Sequence, residues 1–148
     1  MQALTTVSEI QVSYQPAGKP IHKISCSKDA FNILINYYPQ ETIHLKEHFV
    51  VLYLNNSNKV IGVYRLSEGG MTATIADVRI VLGIALKLTA KGIIISHNHP
   101  SGETAPSGAD KTVTKKLKDA CALMDITLCD HIIVTADSYH SFCDQGEI

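Results

Sequence analysis

The residues whose types and spacing could do chemistry lie between Ser96 and Asp110, in the run Ser-His-Asn-His-Pro-Ser-Gly-Glu-Thr-Ala-Pro-Ser-Gly-Ala-Asp. His97 and His99 stand two apart, just after the apolar run Gly92-Ile93-Ile94-Ile95, which reads as a short buried strand. Side chains two apart on a strand point to the same side, so two imidazoles converge on one point. Asp110 follows at the start of a predicted helix. Two histidines and one carboxylate form a three-ligand set for a divalent metal, zinc first, at one ion per chain. A fourth position is left for water, as in catalytic rather than structural zinc sites. The same donor set also accepts iron or manganese. With seven His and eight Asp in the chain, the spacing His-x-His-x10-Asp is expected by chance only ~0.02 times, so it carries information.

A metal ion lowers the pKa of a bound water from about 15.7 to roughly 7 and polarises a carbonyl. A hydrolase built on that chemistry needs a carboxylate to move the water proton to the leaving amine. Of the six glutamates, Glu47 alone opens a fully apolar strand, where a rigid scaffold could aim it. The plainer reading of Glu47 is a solvated strand end. Ser107 and Asp110 form a capping-box-like pair at a helix start, although such a box usually carries Glu or Gln. Ser107 can cap while Asp110 faces a metal; in the catalytic reading the Ser107 hydroxyl donates instead to an oxyanion. Asp130 and His131 fall in a predicted apolar strand. They are either a second layer that orients a metal ligand or a satisfied buried pair. His22, His44, His48 and His140 have no such context and read as surface or structural.

The elements that must position these residues are legible from periodicity. Ile10, Val12 and Tyr14 alternate with polar neighbours and predict a strand, broken by Pro16, Gly18 and Pro20. Ser27 is a predicted cap for a helix carrying Phe31, Leu34, Ile35 and Tyr38, stopped by Pro39. Residues 47–54 predict a strand covered on both faces. A turn at 55–58 and a returning strand at 59–66 make a hairpin. Thr74, with Asp77 as its capping-box partner, predicts the start of a long apolar helix that ends at 90–92. Residues 107–124 predict a helix, 126–135 a strand and 139–142 a short last strand. Interleaved helices and strands with a hairpin predict an α/β domain of mixed layers.

At 148 residues the chain suits one domain with one core, and 45% apolar residues are enough to fill it. The formal net charge of −1 argues against general attraction to nucleic acid, which needs a basic face. Lys111, Lys115, Lys116 and Lys118 cluster on one predicted helix and read as a solvated face. Cys26, Cys121, Cys129 and Cys143 include no Cys-x-x-Cys pair, so a zinc ribbon is not indicated, and reduced thiols in a cytoplasmic protein are expected. No basic-then-apolar leader is evident at the N-terminus. No apolar run approaches the ~20 residues that cross a bilayer.

Taken together, Glu47, His97-Asn98-His99-Pro100 and Ser107-Gly108-Ala109-Asp110 resemble the signature of the JAB/MPN metalloprotease family, known as the JAMM motif. Within it the chain most resembles the RadC branch, through His-Asn-His-Pro-Ser-Gly at 97–102, Pro106-Ser107, Met124-Asp125-Ile126, Asp130-His131-Ile132-Ile133, Ser141-Phe142 and Gly146. The resemblance covers roughly residues 40–148. It implies a three-layer α/β fold, a mixed sheet between helices like that of the cytidine deaminases. Residues 1–39 would be an N-terminal strand-and-helix extension and 40–148 the metal-binding domain, the two packed as one unit. By resemblance His97, His99 and Asp110 bind zinc, Glu47 is the general acid/base and Ser107 the oxyanion helper. The implied activity is hydrolysis of a peptide, isopeptide or related amide bond in a peptide or protein substrate. Asn98 replaces the Ser or Thr of deubiquitinating members, so the ubiquitin-specific role is not carried over. Residues 1–39 show no Gly-rich hairpin of the kind by which RadC proteins are thought to touch DNA, so the historical "DNA repair" label gains nothing from them. Two other readings remain: a non-catalytic, metal-stabilised binding module, and a DNA-associated factor of the RadC type.

Overall fold

In the computed structural model, which describes residues 6–68 and 76–148, the chain order is α1 (Ser27–Leu34), β1 (His48–Leu54), β2 (Val60–Glu68), α2 (Val78–Lys87), β3 (Gly92–Asn98), α3 (Gly108–Leu123), β4 (Thr127–Val134) and β5 (Tyr139–Ser141). A single 3-10 turn, Ile35–Tyr37, extends α1. The five strands form one sheet in the order β2-β1-β3-β4-β5. Only β3 and β4 are parallel; the other neighbours are antiparallel.

Alternation along the central strands sorts the core into two layers. Phe49, Val51, Tyr53, Ile93 and Ile95 pack against Val81, Leu82 and Ala85 of α2 and Leu117 and Cys121 of α3. Val50, Leu52, Leu54, Ile94, Ile132 and Val134 pack against Ala30, Phe31 and Leu34 of α1. Both faces of β1 and β3 are therefore buried at every residue, which is why these stretches read as continuous apolar runs. The result is the expected α/β domain, a mixed sheet between helices.

Three expectations need correction. The strand at Ile10, Val12 and Tyr14 does not form: these side chains are largely exposed and the segment has no ladder. Period-two alternation supplies no partner, and a strand needs one. The cap of the first helix lies one residue earlier than expected: Cys26 is at the N-cap position, Ser27 is the first helical residue, and the Asp29 carboxylate accepts the Ser25 and Cys26 amides. Thr74 lies outside the described residues. Asp77 is itself the cap of α2, its carboxylate accepting the Arg79 amide at 2.9 Å, so the helix starts at Val78. No helix among the described residues is long and apolar enough to cross a membrane, and the four cysteines are free thiols.

Candidate metal centre

The parallel pair β3–β4 is joined through α3, and the candidate residues gather at the carboxyl ends of these strands, the place where α/β sheets hold ligands. His97 is the penultimate residue of β3. His99 stands just beyond it, its amide still bonded to the Val134 carbonyl of β4 at 3.2 Å. The strand thus runs one residue further in its bonding than in its assignment. This puts both imidazoles at one point, as their spacing predicted.

The sequence after His99 then explains itself. His99-Pro100-Ser101-Gly102 is a turn closed by the Gly102 amide on the His99 carbonyl at 3.0 Å. Pro100 supplies the fixed φ of its second position. Gly102 sits at φ +85°, in the left-handed region that glycine enters without strain. The turn brings the Glu103 carbonyl back onto His99 Nδ1 at 2.7 Å. That nitrogen donates to the carbonyl, so His99 Nε2 keeps its lone pair toward the site.

Asp110 arrives from the first turn of α3. The Ser107 hydroxyl oxygen accepts the Asp110 amide at 3.1 Å, and the Ser107 amide donates to the Asp110 carboxylate at 2.8 Å. Both halves of the capping box are present. The box also aims the acid. One Asp110 oxygen lies 3.1 Å from His97 Nε2 and the other 3.2 Å from His99 Nε2, and the two Nε2 atoms are 3.0 Å apart.

His97 is held from behind by a chain of three groups. Its Nδ1 is 2.8 Å from His131 Nε2, and His131 Nδ1 is 2.6 Å from the Thr114 hydroxyl. That hydroxyl donates its one hydrogen to the Asp110 carbonyl at 2.6 Å, one helical turn back. It must then accept from His131 Nδ1–H, which leaves His131 Nε2 to accept from His97 Nδ1–H. Burial holds the His131 pKa well below the ordinary histidine value, so the ring is neutral, as this order requires. His97 Nε2, like His99 Nε2, then presents a lone pair.

Two nitrogen lone pairs and a carboxylate face one another within 4.8 Å, and the carboxylate also accepts the Ser107 amide. The arrangement calls for a cation, and two imidazoles with one carboxylate match a three-ligand zinc set. Among the described residues this is the only such group of three. A proton competes for the same place. Donation of a hydrogen bond to the Asp110 carboxylate raises the His99 pKa against the effect of burial, with the Glu103 carbonyl and the charge of Glu47 acting in the same sense. Burial alone would raise the Asp110 pKa, but its bonds to His97 and His99 outweigh that and hold it far below the usual carboxylate range.

Glu47 immediately precedes β1 and is half-buried. The register pairs Phe49 with His97. The observed ladder ends there, and two further residues in the same direction lead from Phe49 to Glu47 and from His97 to His99. Its charge is the smallest of the influences that raise the His99 pKa. Ser107 caps α3 and keeps its own hydroxyl hydrogen, so capping does not use up its capacity to donate. Asp130 is turned elsewhere: its carboxylate accepts Ser141 Oγ at 2.6 Å, the Cys143 amide at 3.0 Å and the His131 amide at 2.8 Å, tying down the C-terminal turn. Asp130 and His131 are therefore not one pair. His131 contacts a cluster histidine, and Asp130 holds the backbone around it. Thr114 was not singled out in the sequence; the available signal was its place four residues after Asp110, on the same helix face. Asn98 was noted only as a departure from a pattern, yet its side chain is completely buried.

Comparison with known proteins shows which family and relatives the chain resembles. The family described as the RadC-like JAB domain matches residues 24–147, which includes α1. A UPF0758 protein of Flavobacterium johnsoniae is 44% identical over 151 residues, covering 98% of this chain and 63% of its own length. A UPF0758 protein of Streptococcus gordonii is 44% identical over 110 residues, covering 74% of this chain and 49% of its own length. A third, from Chlorobium chlorochromatii, is 37% identical over 143 residues, 97% of this chain and 63% of its own. The chain thus spans about half to two thirds of the length of these relatives, whose names state no activity.

Proposed function

Because the chain belongs to the RadC-like JAB domain family, we propose that it is a metal-dependent hydrolase of the JAMM type, acting on a peptide, isopeptide or related amide bond. The observation that carries this reading is the convergence of His97 Nε2, His99 Nε2 and the Asp110 carboxylate within 4.8 Å. Zinc is the proposed ion, held by those three side chains. When bound, it would supply Lewis-acid polarisation and an acidified water. The chain's own residues do the remainder. Glu47 takes the proton of the attacking water and delivers it to the leaving amine. The Ser107 hydroxyl donates to the oxygen on which negative charge develops. The His131–Thr114 chain keeps His97 in the tautomer whose Nε2 faces the cluster. The proposed substrate is a peptide or protein, and the net charge of −1 gives no reason to add nucleic acid.

The test pairs metal content with turnover. Purified protein is expected to hold about one zinc per chain, and His99→Ala and Asp110→Ala to lose it. A library of peptide and isopeptide conjugates should yield cleavage that a chelator abolishes and zinc restores. Glu47→Gln should keep the metal and lose at least about 10²-fold in rate, the scale of a general acid/base. Full activity in that variant removes Glu47 from the mechanism. Stoichiometric zinc without any cleavage favours a metal-stabilised binding module instead.

A further inference from the structure

We propose that Asn98 is the positioning residue that sets Glu47 against the metal cluster, through a buried amide that grips both peptide groups flanking it. This deepens the hydrolase reading and rests on Glu47 as its proton carrier.

Among the described strand pairs, Glu47 lies just outside the β1–β3 ladder. Pairing of β1 with β3 begins at Phe49–His97, and β1 itself starts at His48. Upstream the chain leaves the sheet through tight turns, with the Ile43 amide on the Pro39 carbonyl and the Lys46 amide on the Thr42 carbonyl. Asn98 grips the chain on both sides of Glu47. Its Oδ1 accepts the His48 amide at 2.6 Å, and its Nδ2 donates to the carbonyls of Lys46 at 3.0 Å and Ile43 at 2.8 Å. The Lys46 carbonyl belongs to the peptide entering Glu47 and the His48 amide to the peptide leaving it. One side chain therefore holds both planes between which the Glu47 Cα sits.

Only one residue type of this size does this. The task needs two donors and one acceptor on a planar head. A serine or threonine hydroxyl has one hydrogen and reaches one partner. Aspartate keeps the acceptor and turns its other oxygen against two carbonyls. Asn98 also lies between His97 and His99, its side chain on the opposite face of the strand from theirs. The backbone that carries two cluster residues thus also holds the segment bearing Glu47, through the Asn98 side chain. A misplacement of about 1 Å can cost roughly 10²-fold in rate, so a fixed link is what proton transfer requires.

The test reads position rather than turnover. Protein labelled with 13C at Glu and Asp carboxyls is loaded with Co2+, whose pseudocontact shift falls with the cube of distance. In the parent, the Glu47 and Asp110 carboxyl carbons should both shift. In Asn98→Ala, Co2+ affinity and the Asp110 shift should stay within error. The Glu47 shift should fall by roughly a third or more, as a displacement near 1 Å gives, and the His48 amide should exchange faster with solvent. If Asn98→Ala does not fold, Asn98→Asp, which keeps the His48 acceptor, should show the same changes in smaller measure. An unaltered Glu47 shift alongside a deprotected His48 amide overturns the proposal and leaves the hydrolase reading standing. A parent that binds Co2+ without any Glu47 shift overturns the role of Glu47, and this proposal with it.

Discussion

At the scale of single residues, the centre depends on where a few protons sit. His97 and His99 are useful to a cation only with lone pairs on Nε2, and each is held in that tautomer by what its Nδ1 touches. For His99 it is a backbone carbonyl. For His97 it is His131, which is oriented by Thr114. Thr114→Val should leave the buried His131 Nδ1–H without an acceptor, at about 1–3 kcal/mol in stability. It should also weaken zinc binding about 10–100-fold. Chelator competition and urea unfolding measure the two effects, and Thr114→Ser, which keeps the hydroxyl, should restore both. Normal zinc affinity in Thr114→Val would show that His97 does not need this support.

At the scale of elements, the first turn of α3 is where capping and chemistry meet. Asp110 is the third residue of the helix, and Ser107 is its cap. Their reciprocal bonds fix the helix start and the direction of the carboxylate together. Ser107→Ala should cost about 1 kcal/mol of stability. Ser107→Asn, which can still accept the Asp110 amide, should unfold like the parent in urea. If the Ser107 hydroxyl also serves the oxyanion, Ser107→Asn should nonetheless lose turnover on any substrate found, which separates the two roles. The cap and the helix were both legible in the sequence, since Ser-x-x-Asp before an apolar-periodic run is a local pattern. The strand at Ile10–Tyr14 was not so simply read, because alternation says nothing about whether a neighbouring edge is there to pair with. Tyr14 instead donates to the Ile61 carbonyl through its hydroxyl at 2.7 Å.

For the whole molecule, the site is a seam between β1, β3, β4 and α3, so occupancy should report on global stability. Zinc at about 100 times its dissociation constant should add about 2.7 kcal/mol. For a chain of this size that is a rise in melting temperature of roughly 5–10 °C. Calorimetry with zinc and with chelator checks this, and His99→Ala should show no rise. A second global effect comes from Asp130. Burial raises its pKa above the ordinary aspartate value, although the bonds from Ser141, Cys143 and His131 act the other way. The folded state therefore holds this proton more readily than the unfolded chain does. The resulting contribution is full below the unfolded value and is lost as pH rises through the raised folded one. Asp130→Asn keeps an oxygen for the His131 and Cys143 amides, turns the group facing Ser141 into a donor, and removes the titration. On going from acid to neutral pH, the variant should lose less stability, or gain more, than the parent; parallel urea midpoints in both would contradict this.

The sequence by itself determined the local features. The two-residue histidine spacing, the turn after His99, the capped helix bearing Asp110 and the doubly buried strands all arise from neighbours within a few residues. Short-range sterics and hydrogen bonding settle these before the chain folds back on itself. Only the tertiary structure decided which distant segments meet. The β1–β3 pairing brings Phe49, and with it the residues just before β1, beside His97, 48 residues away. The β3–β4 pairing brings His131 behind His97, and the buried amide of Asn98 closes on residues 43–48. Contacts of that range depend on which packing buries the most apolar surface while satisfying every polar group, a property of the assembled layers that no window of sequence contains.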